Sequence, residues 1–160
     1  IKNPLHASLI MKFHLETVVD ISFERLIKLF ENPENLHKWQ PNVISFKRLS
    51  GEIGQVGATS ELYYDMIVKK ITMKETILQR DLPELFVLRY DADGVSNTVT
   101  NNFKDLPNGK TRWIMKNDFK FSGVMRFAAK PLKGVFKKQT ELTMERFKQF
   151  AEGLTQEEEV

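Results

Sequence analysis

The side chains that could do chemistry are polar groups placed on otherwise apolar strands. Alternation within residues 67–79 puts Glu75 on the same face as Met73 and Ile77. A carboxyl group enclosed by apolar side chains needs a proton, a cation or a hydrogen-bond donor, because burying a bare charge is costly. Glu75 could then orient a ligand or transfer a proton, with Arg89 as its partner if that side chain also points inward. The alternative is an ordinary Glu75–Arg89 ion pair at the rim of the sheet.

Three amides extend this set of polar groups. Alternation puts Asn97 and Asn101 on one face of a strand, and it puts Asn117 on the face of Trp113 and Met115 in the next strand. We therefore expect these amides inside an otherwise apolar space. Core packing alone also accounts for the 12 Phe, 3 Tyr and 2 Trp residues of the chain.

Other kinds of chemistry find no support in the sequence. The chain has no cysteine, and its histidines, His6, His14 and His37, never stand four residues apart as on a metal-binding helix. No nucleophile elbow, phosphate-binding loop or dinucleotide-binding glycine pattern is present. We expect no metal, no cofactor and no assignable catalytic residue, and we interpret His37 as a surface or rim residue.

Charge and composition describe an ordinary globular domain. The 160 residues include 24 basic and 21 acidic side chains, a surplus of three positive charges that is too small to indicate nucleic acid binding. No long apolar run or secretory signal is readable, so the default expectation is a cytoplasmic location. The sequence leaves the oligomeric state open.

The positive charge is concentrated in one segment. Residues 119–138 contain no acid, and four of their basic residues form one stripe of the terminal helix: Arg126, Lys130, Lys133 and Lys137. One interpretation is the solvated outer face of an amphipathic helix. The other is transient electrostatic docking on an anionic membrane.

Local patterns predict the elements that would position these residues. Residues 12–19 alternate as a half-buried strand, and Ser22 can cap a helix that ends near Asn32. Pro33 can open a second short helix that ends before Pro41. The following segments are strand-like and are separated by turn residues: 43–49, 59–64, 67–79, 85–90, 95–103 and 111–121.

Short connections between these strands predict an antiparallel meander. The last segment is an amphipathic helix, which either begins at Val124 and kinks at Pro131 or begins at Pro131 after a turn. We therefore predict one α+β domain in which a curved antiparallel sheet of about six or seven strands wraps a long C-terminal helix.

Residues 11–153 resemble the SRPBCC helix-grip superfamily, which includes START and birch-pollen-allergen-like proteins and a polyketide cyclase/dehydrase and lipid-transport branch. The similarity lies in Asn32-Pro33-Glu34, in Trp39-Gln40-Pro41, and in Gly51-Glu52 followed by Gly54 and Gly57. Residues 1–10 are interpreted as an N-terminal extension and residues 154–160 as an acidic tail.

The resemblance implies a cavity between the sheet and the C-terminal helix that binds a small hydrophobic ligand such as a lipid, sterol or polyketide. On that basis the expected ligand-binding residues are Tyr63, Met73, Glu75, Arg89, Asn101, Trp113, Met115, Asn117 and Phe136. Two alternatives stay open. One is a cyclase/dehydrase-type enzyme that uses Glu75, or a pocket tyrosine or histidine, as acid and base, and the other is a domain that binds a partner protein.

Overall fold

The computed structural model describes residues 7–65 and 69–153. Its helices are α1 (Phe23–Glu31), α2 (Leu36–Trp39), α3 (Met125–Ala129) and α4 (Lys133–Gly153). Its strands are β1 (Leu9–Val19), β2 (Val43–Ser50), β3 (Thr59–Asp65), β4 (Lys70–Asp81), β5 (Leu85–Ala92), β6 (Val95–Leu106) and β7 (Lys110–Phe121). The predicted acidic tail lies outside the described residues.

All seven strands form one antiparallel sheet in the order β1-β7-β6-β5-β4-β3-β2. The strands β2 to β7 follow one another as a meander, and β1 joins the far edge beside β7. The predicted α+β fold, with its antiparallel sheet, two short helices after the first strand and long C-terminal helix, is confirmed.

Capping residues set the starts of the first helices. The Ser22 side chain accepts a hydrogen bond from the Arg25 amide at 3.3 Å and begins α1. The Asn32 side chain accepts from the Glu34 amide at 3.0 Å, and Pro33 then opens a single 3₁₀ turn, Pro33–Asn35, that leads into α2. These caps bring the short helices back over the sheet.

Pro131 divides the terminal helical segment. The helix α3 ends at Ala129, a 3₁₀ turn spans Lys130–Leu132, and α4 begins at Lys133. Proline has no amide hydrogen and clashes with the preceding helical turn, so a continuous helix is interrupted there. At the other end of the chain, β1 begins at Leu9, two residues before the predicted start of the domain.

Two apolar clusters fill the space between the sheet and the helices. The larger is centred on Phe30, whose ring contacts five buried rings, at centroid distances of 5.5 to 6.2 Å: those of Trp39, Phe86, Phe103, Trp113 and Phe147. The smaller contains Met11, Phe121 and Ala129 as buried residues, with Phe119, Met125 and Phe136 packed against them. No helix among the described residues is long and apolar enough to cross a membrane.

Candidate functional site

A line of polar side chains crosses the inner face of the sheet. In the strand register, Asn97 lies opposite Tyr90, Tyr90 opposite Glu75, Glu75 opposite Ser60, and Ser60 opposite Arg48. Side chains directly opposite each other in an antiparallel pair have Cβ atoms about 5 Å apart, which is close enough for interaction. We call these five residues the polar row.

Glu75 is the acidic centre of the polar row. Burial raises the pKa of the Glu75 carboxyl, and the hydrogen bond from Tyr90 opposes this increase only in part. Burial, followed by the nearby Glu75 charge, also raises the pKa of both Tyr64 and Tyr90. Tyr64 points inward and its hydroxyl donates a hydrogen bond to Oε1 of Gln40 at 3.1 Å. The result is a carboxyl group that keeps its proton to a higher pH than an exposed glutamate.

The polar row borders an interior cleft of about 140 Å³ between strands β2 to β5 and the short helices. Its apolar lining includes Phe30, Leu36, Trp39, Phe46, Leu62, Ile77, Phe86 and Leu88. Its polar lining includes Arg48, Ser60, Glu75 and Tyr90. Drug-sized ligand sites begin at roughly 300 Å³, so this cleft accommodates a small molecule or one end of a longer one.

The indole N–H of Trp39 adds an unused donor at the cleft. Trp39 is 4% exposed, and its Nε1 has no hydrogen-bond partner among the described residues. A buried donor without a partner is unfavourable, and a ligand oxygen or a water molecule would relieve that cost.

Asn97 and Asn117 form a second polar feature, which lies between the two apolar clusters. Nδ2 of Asn97 donates to Oδ1 of Asn117 at 3.0 Å. Their other polar atoms, Oδ1 of Asn97 and Nδ2 of Asn117, are buried without a partner in the described part of the chain. One acceptor and one donor are therefore available to a group that can both donate and accept, such as a hydroxyl.

Asn101 and Trp113 are brought together, but their polar atoms bind each other. The indole Nε1 of Trp113 donates to Oδ1 of Asn101 at 2.9 Å, and Nδ2 of Asn101 donates to the Phe86 carbonyl at 3.3 Å. Both side chains are fully buried, and the neighbouring Met115 is 9% exposed within the same core. This arrangement holds β5, β6 and β7 together and leaves Asn101 little capacity for a ligand.

The expected interior positions of Tyr63 and Arg89 are wrong. Tyr63 is one residue out of phase with the inward-facing Leu62 and Tyr64, so it lies on the outer face of the sheet. Arg89 is likewise on the outer face, where its Nε donates to Oδ2 of Asp91 at 2.8 Å. Arg89 therefore does not pair with Glu75.

Met73 and Phe136 occupy other parts of the interior. Met73 lies opposite Leu62 on the inner face of β4, two residues from Glu75. Phe136 of α4 contacts Phe119 and Phe121 at centroid distances of 5.2 and 5.5 Å, within the smaller cluster and outside the lining of the cleft.

Sequence reasoning missed Tyr90, Arg48 and Trp39 as site residues. Apart from Arg89, whose direction the sequence left open, both faces of residues 85–90 are apolar or aromatic, so alternation gave no direction for Tyr90. Its position opposite Glu75 depends on the register between β4 and β5, which includes an irregularity between Ile77 and Gln79. Only the turn signal at Asp81-Leu82-Pro83 indicated that these two strands are neighbours.

Other concave or acidic features are weaker candidates. A depression of about 380 Å³ lies mainly on the outer face of the sheet, lined by residues that include Lys12, His14, Lys116 and Asp118. It is open and polar, unlike the apolar cleft. No group of three or more metal-ligating side chains converges within residues 7–65 and 69–153.

Comparison with known families identifies a family for this chain by sequence. A family model described as polyketide cyclase / dehydrase and lipid transport matches residues 11–152. Among curated proteins, none matches this chain by sequence.

Several solved structures share the fold. The Zhui aromatase/cyclase from Streptomyces has a TM-score of 0.76 at 13% identity, over 90% of this chain and 94% of that one. Truncated norcoclaurine synthase from Thalictrum flavum has a TM-score of 0.70 at 12% identity, over 97% and 100%. Major latex-like protein 151 from Panax ginseng has a TM-score of 0.70 at 14% identity, over 89% and 98%. Likeness at such low identity establishes the fold alone.

Proposed function

The chain belongs to the polyketide cyclase / dehydrase and lipid transport family, within the SRPBCC helix-grip superfamily, and on this premise we propose that it binds a small hydrophobic ligand in the interior cleft. The ligand is a lipid-, sterol- or polyketide-like molecule that carries at least one oxygen. Its apolar part contacts the rings and aliphatic side chains of the cleft, and its oxygen is oriented by Glu75 and Tyr90.

The observation that carries this proposal is the pairing of Glu75 with Tyr90 on facing strands in the wall of an apolar cleft. A core that served stability alone would gain more from apolar side chains at these two positions, because burying a carboxyl group is unfavourable. A few oriented polar groups in an apolar pocket are typical of small-molecule sites. The unpartnered N–H of Trp39 supports the same interpretation.

The experiment is to bind a fluorescent fatty-acid probe to the protein and to a variant with a smaller cleft. Ser60 lies opposite Glu75 and is 8% exposed, so Ser60→Leu places extra volume at the polar end of the cleft. Its neighbour Glu61 is exposed on the other face, and Glu61→Leu is the matched control.

We expect Ser60→Leu to weaken binding of the probe at least about tenfold, because the added side chain fills cleft volume and displaces part of the probe's apolar surface into water. Glu61→Leu should leave the affinity for the probe unchanged. Native mass spectrometry of the purified protein should also find a co-purified apolar molecule. The proposal would be contradicted if Ser60→Leu and Glu61→Leu bound the probe with equal affinity, or if the unmodified protein did not bind it.

A second candidate is acid–base catalysis on a polyketide-like substrate, and the raised pKa of the Glu75 carboxyl favours it. A carboxyl group that keeps its proton to a higher pH than an exposed glutamate can protonate a carbonyl or hydroxyl oxygen, and its conjugate base can accept a proton from carbon. The test is turnover of a poly-β-ketone analogue. If Glu75 is catalytic, Glu75→Gln abolishes turnover while the fatty-acid probe still binds, and Glu61→Gln keeps the turnover of the unmodified protein.

A further inference from the structure

Four large apolar side chains are exposed within residues 124–135, on either side of Pro131. Val124 is 82% exposed, Phe127 67%, Val135 54% and Leu132 40%. Val124 lies just before α3 and Phe127 within it, whereas Leu132 ends the 3₁₀ turn and Val135 lies in the first turn of α4. We call these four residues the apolar ridge.

Neighbouring residues of the same segment are packed in the core and anchor the apolar ridge. Ala129 is fully buried within the same segment, and Met125 and Phe136 pack against the smaller apolar cluster. Nη1 of Arg126 donates to the Ala7 carbonyl at 2.8 Å, and its guanidinium lies 4.5 Å from the centre of the Phe127 ring. The exposed side chains are therefore held outward by neighbours that are anchored to the sheet.

Basic side chains alternate with the apolar ridge along the same segment. Lys130 and Lys133 stand between its members in sequence, Lys137 follows them, all three are exposed, and residues 119–138 contain no acid. Positive charge next to exposed apolar and aromatic side chains is the combination that binds the interface of an anionic bilayer. An acidic protein surface would complement the lysines but would leave the apolar ridge in contact with water.

We propose that this surface docks on an anionic lipid bilayer. The apolar ridge enters the interface, with Phe127 contributing the largest side chain, and the three lysines contact the phosphate groups of the lipids. The sequence indicated only the basic residues, whereas the structure adds apolar side chains that enter the bilayer. The docking surface shares no residue with the cleft lining, so this inference does not depend on ligand binding.

The first test is co-sedimentation with vesicles of phosphatidylcholine, with and without about one-third phosphatidylglycerol, at low and high salt. We expect binding to the anionic vesicles that decreases as salt increases. Each lysine near the surface is worth about fivefold in affinity, so Lys133→Ala with Lys137→Ala should weaken binding about 25-fold. Lys104→Ala with Lys116→Ala, on the outer face of the sheet, is the matched control and should bind as the unmodified protein does.

The second test reports insertion directly. Phe127 is 67% exposed, and Leu49, which is 46% exposed, lies on β2 and is not part of the cleft lining. We expect the tryptophan emission of Phe127→Trp to shift to the blue with anionic vesicles, and that of Leu49→Trp to stay unchanged. Phe127→Ser should weaken co-sedimentation about tenfold, since burying one aromatic side chain contributes that much.

Three results would overturn the proposal. They are no binding of the unmodified protein to anionic vesicles, an equal loss of binding in the control lysine variant, and a blue shift in Leu49→Trp without one in Phe127→Trp. Binding to soluble polyglutamate without binding to vesicles would assign the surface to an acidic protein and would overturn it as well.

Discussion

The chemistry of Glu75 depends on which neighbouring side chains in the sheet offer it a positive charge or a hydrogen bond. Arg89 lies on the other face with Asp91, so no arginine on the adjacent strand neutralises the carboxyl group. Tyr90 donates one hydrogen bond, and burial raises the Glu75 pKa despite it. A carboxyl group accepts hydrogen bonds in both of its protonation states and also donates one when it is protonated, which suits a ligand hydroxyl or carbonyl.

This raised pKa predicts how stability changes with pH. In the folded state Glu75 keeps its proton above the pKa of about 4.3 that it has when unfolded. The folded state therefore binds more protons than the unfolded state above that pH, so the Glu75 contribution to the free energy of unfolding falls as pH rises toward the folded pKa. Glu75→Gln removes this contribution, and the variant should be more stable than the unmodified protein at neutral pH.

Urea unfolding across a pH series measures the effect. The quantity of interest is the difference in unfolding free energy between the unmodified protein and Glu75→Gln. Glu61→Gln, on the exposed outer face, is the control and should give a nearly constant difference. A stability advantage of the native glutamate that grows as pH rises would contradict the raised pKa.

A second prediction at the residue scale concerns Asn101. Asn101→Ala leaves the Trp113 N–H and the Phe86 carbonyl without their partner and opens a small cavity in the core. We expect it to lower the free energy of unfolding by about 2–4 kcal/mol. Thr100→Ala, on the outer face of the same strand, should change it by about 0.5 kcal/mol or less. A loss of probe affinity with unchanged stability would instead assign Asn101 to the ligand site.

At the scale of elements, the position of α4 is fixed at both ends. Near its start, Phe136 packs on Phe119 and Phe121. In its last turns, Nζ of Lys148 donates to the Val18 carbonyl at 2.6 Å and to Oε1 of Glu152 at 2.5 Å. The same Glu152 oxygen accepts from the Asp20 amide at 2.8 Å. These contacts hold the helix against the end of β1.

Glu152 gives this attachment a pH dependence opposite to that of Glu75. Partial burial raises the Glu152 pKa, but hydrogen bonds from Lys148 and the Asp20 amide outweigh it and lower the net pKa. The stabilisation is therefore complete above the unfolded pKa of about 4.3 and is lost as pH falls through the folded pKa. Because the pair is partly exposed, we expect Glu152→Gln to cost about 1 kcal/mol or less at neutral pH.

The measurement is again urea unfolding at two pH values, near neutrality and below 4. Glu145 of the same helix accepts only from the Gln149 side chain among the described residues, at 3.1 Å, and Glu145→Gln is the matched control. The cost of Glu152→Gln should shrink in acid. A cost that is the same at both pH values would show that the carboxylate charge is not what stabilises the attachment.

At the scale of the whole molecule, local patterns predict the fold better than the site. Alternation, turn residues and a terminal amphipathic helix are local properties, and they are enough to predict the meander and the wrapped helix. The direction of a side chain depends on register over several strands, and a shift of one residue reverses it. This is why Tyr63 was expected in the interior although it lies on the outer face, and why the pairing of Tyr90 with Glu75 becomes visible only in the structure.

The positions of the cleft and the apolar ridge lead to a last prediction, which rests on the proposed function. The cleft lies under α1, α2 and the connection between β2 and β3, whereas the apolar ridge belongs to α3 and the start of α4. Hydrogen exchange followed by mass spectrometry should therefore show two separate footprints. A saturating fatty-acid probe should slow exchange in residues 30–62, since a ligand stabilises the closed state of the elements it contacts. Anionic vesicles should slow exchange in residues 122–138, and protection of that segment by the probe alone would place the ligand at the wrong end of the molecule.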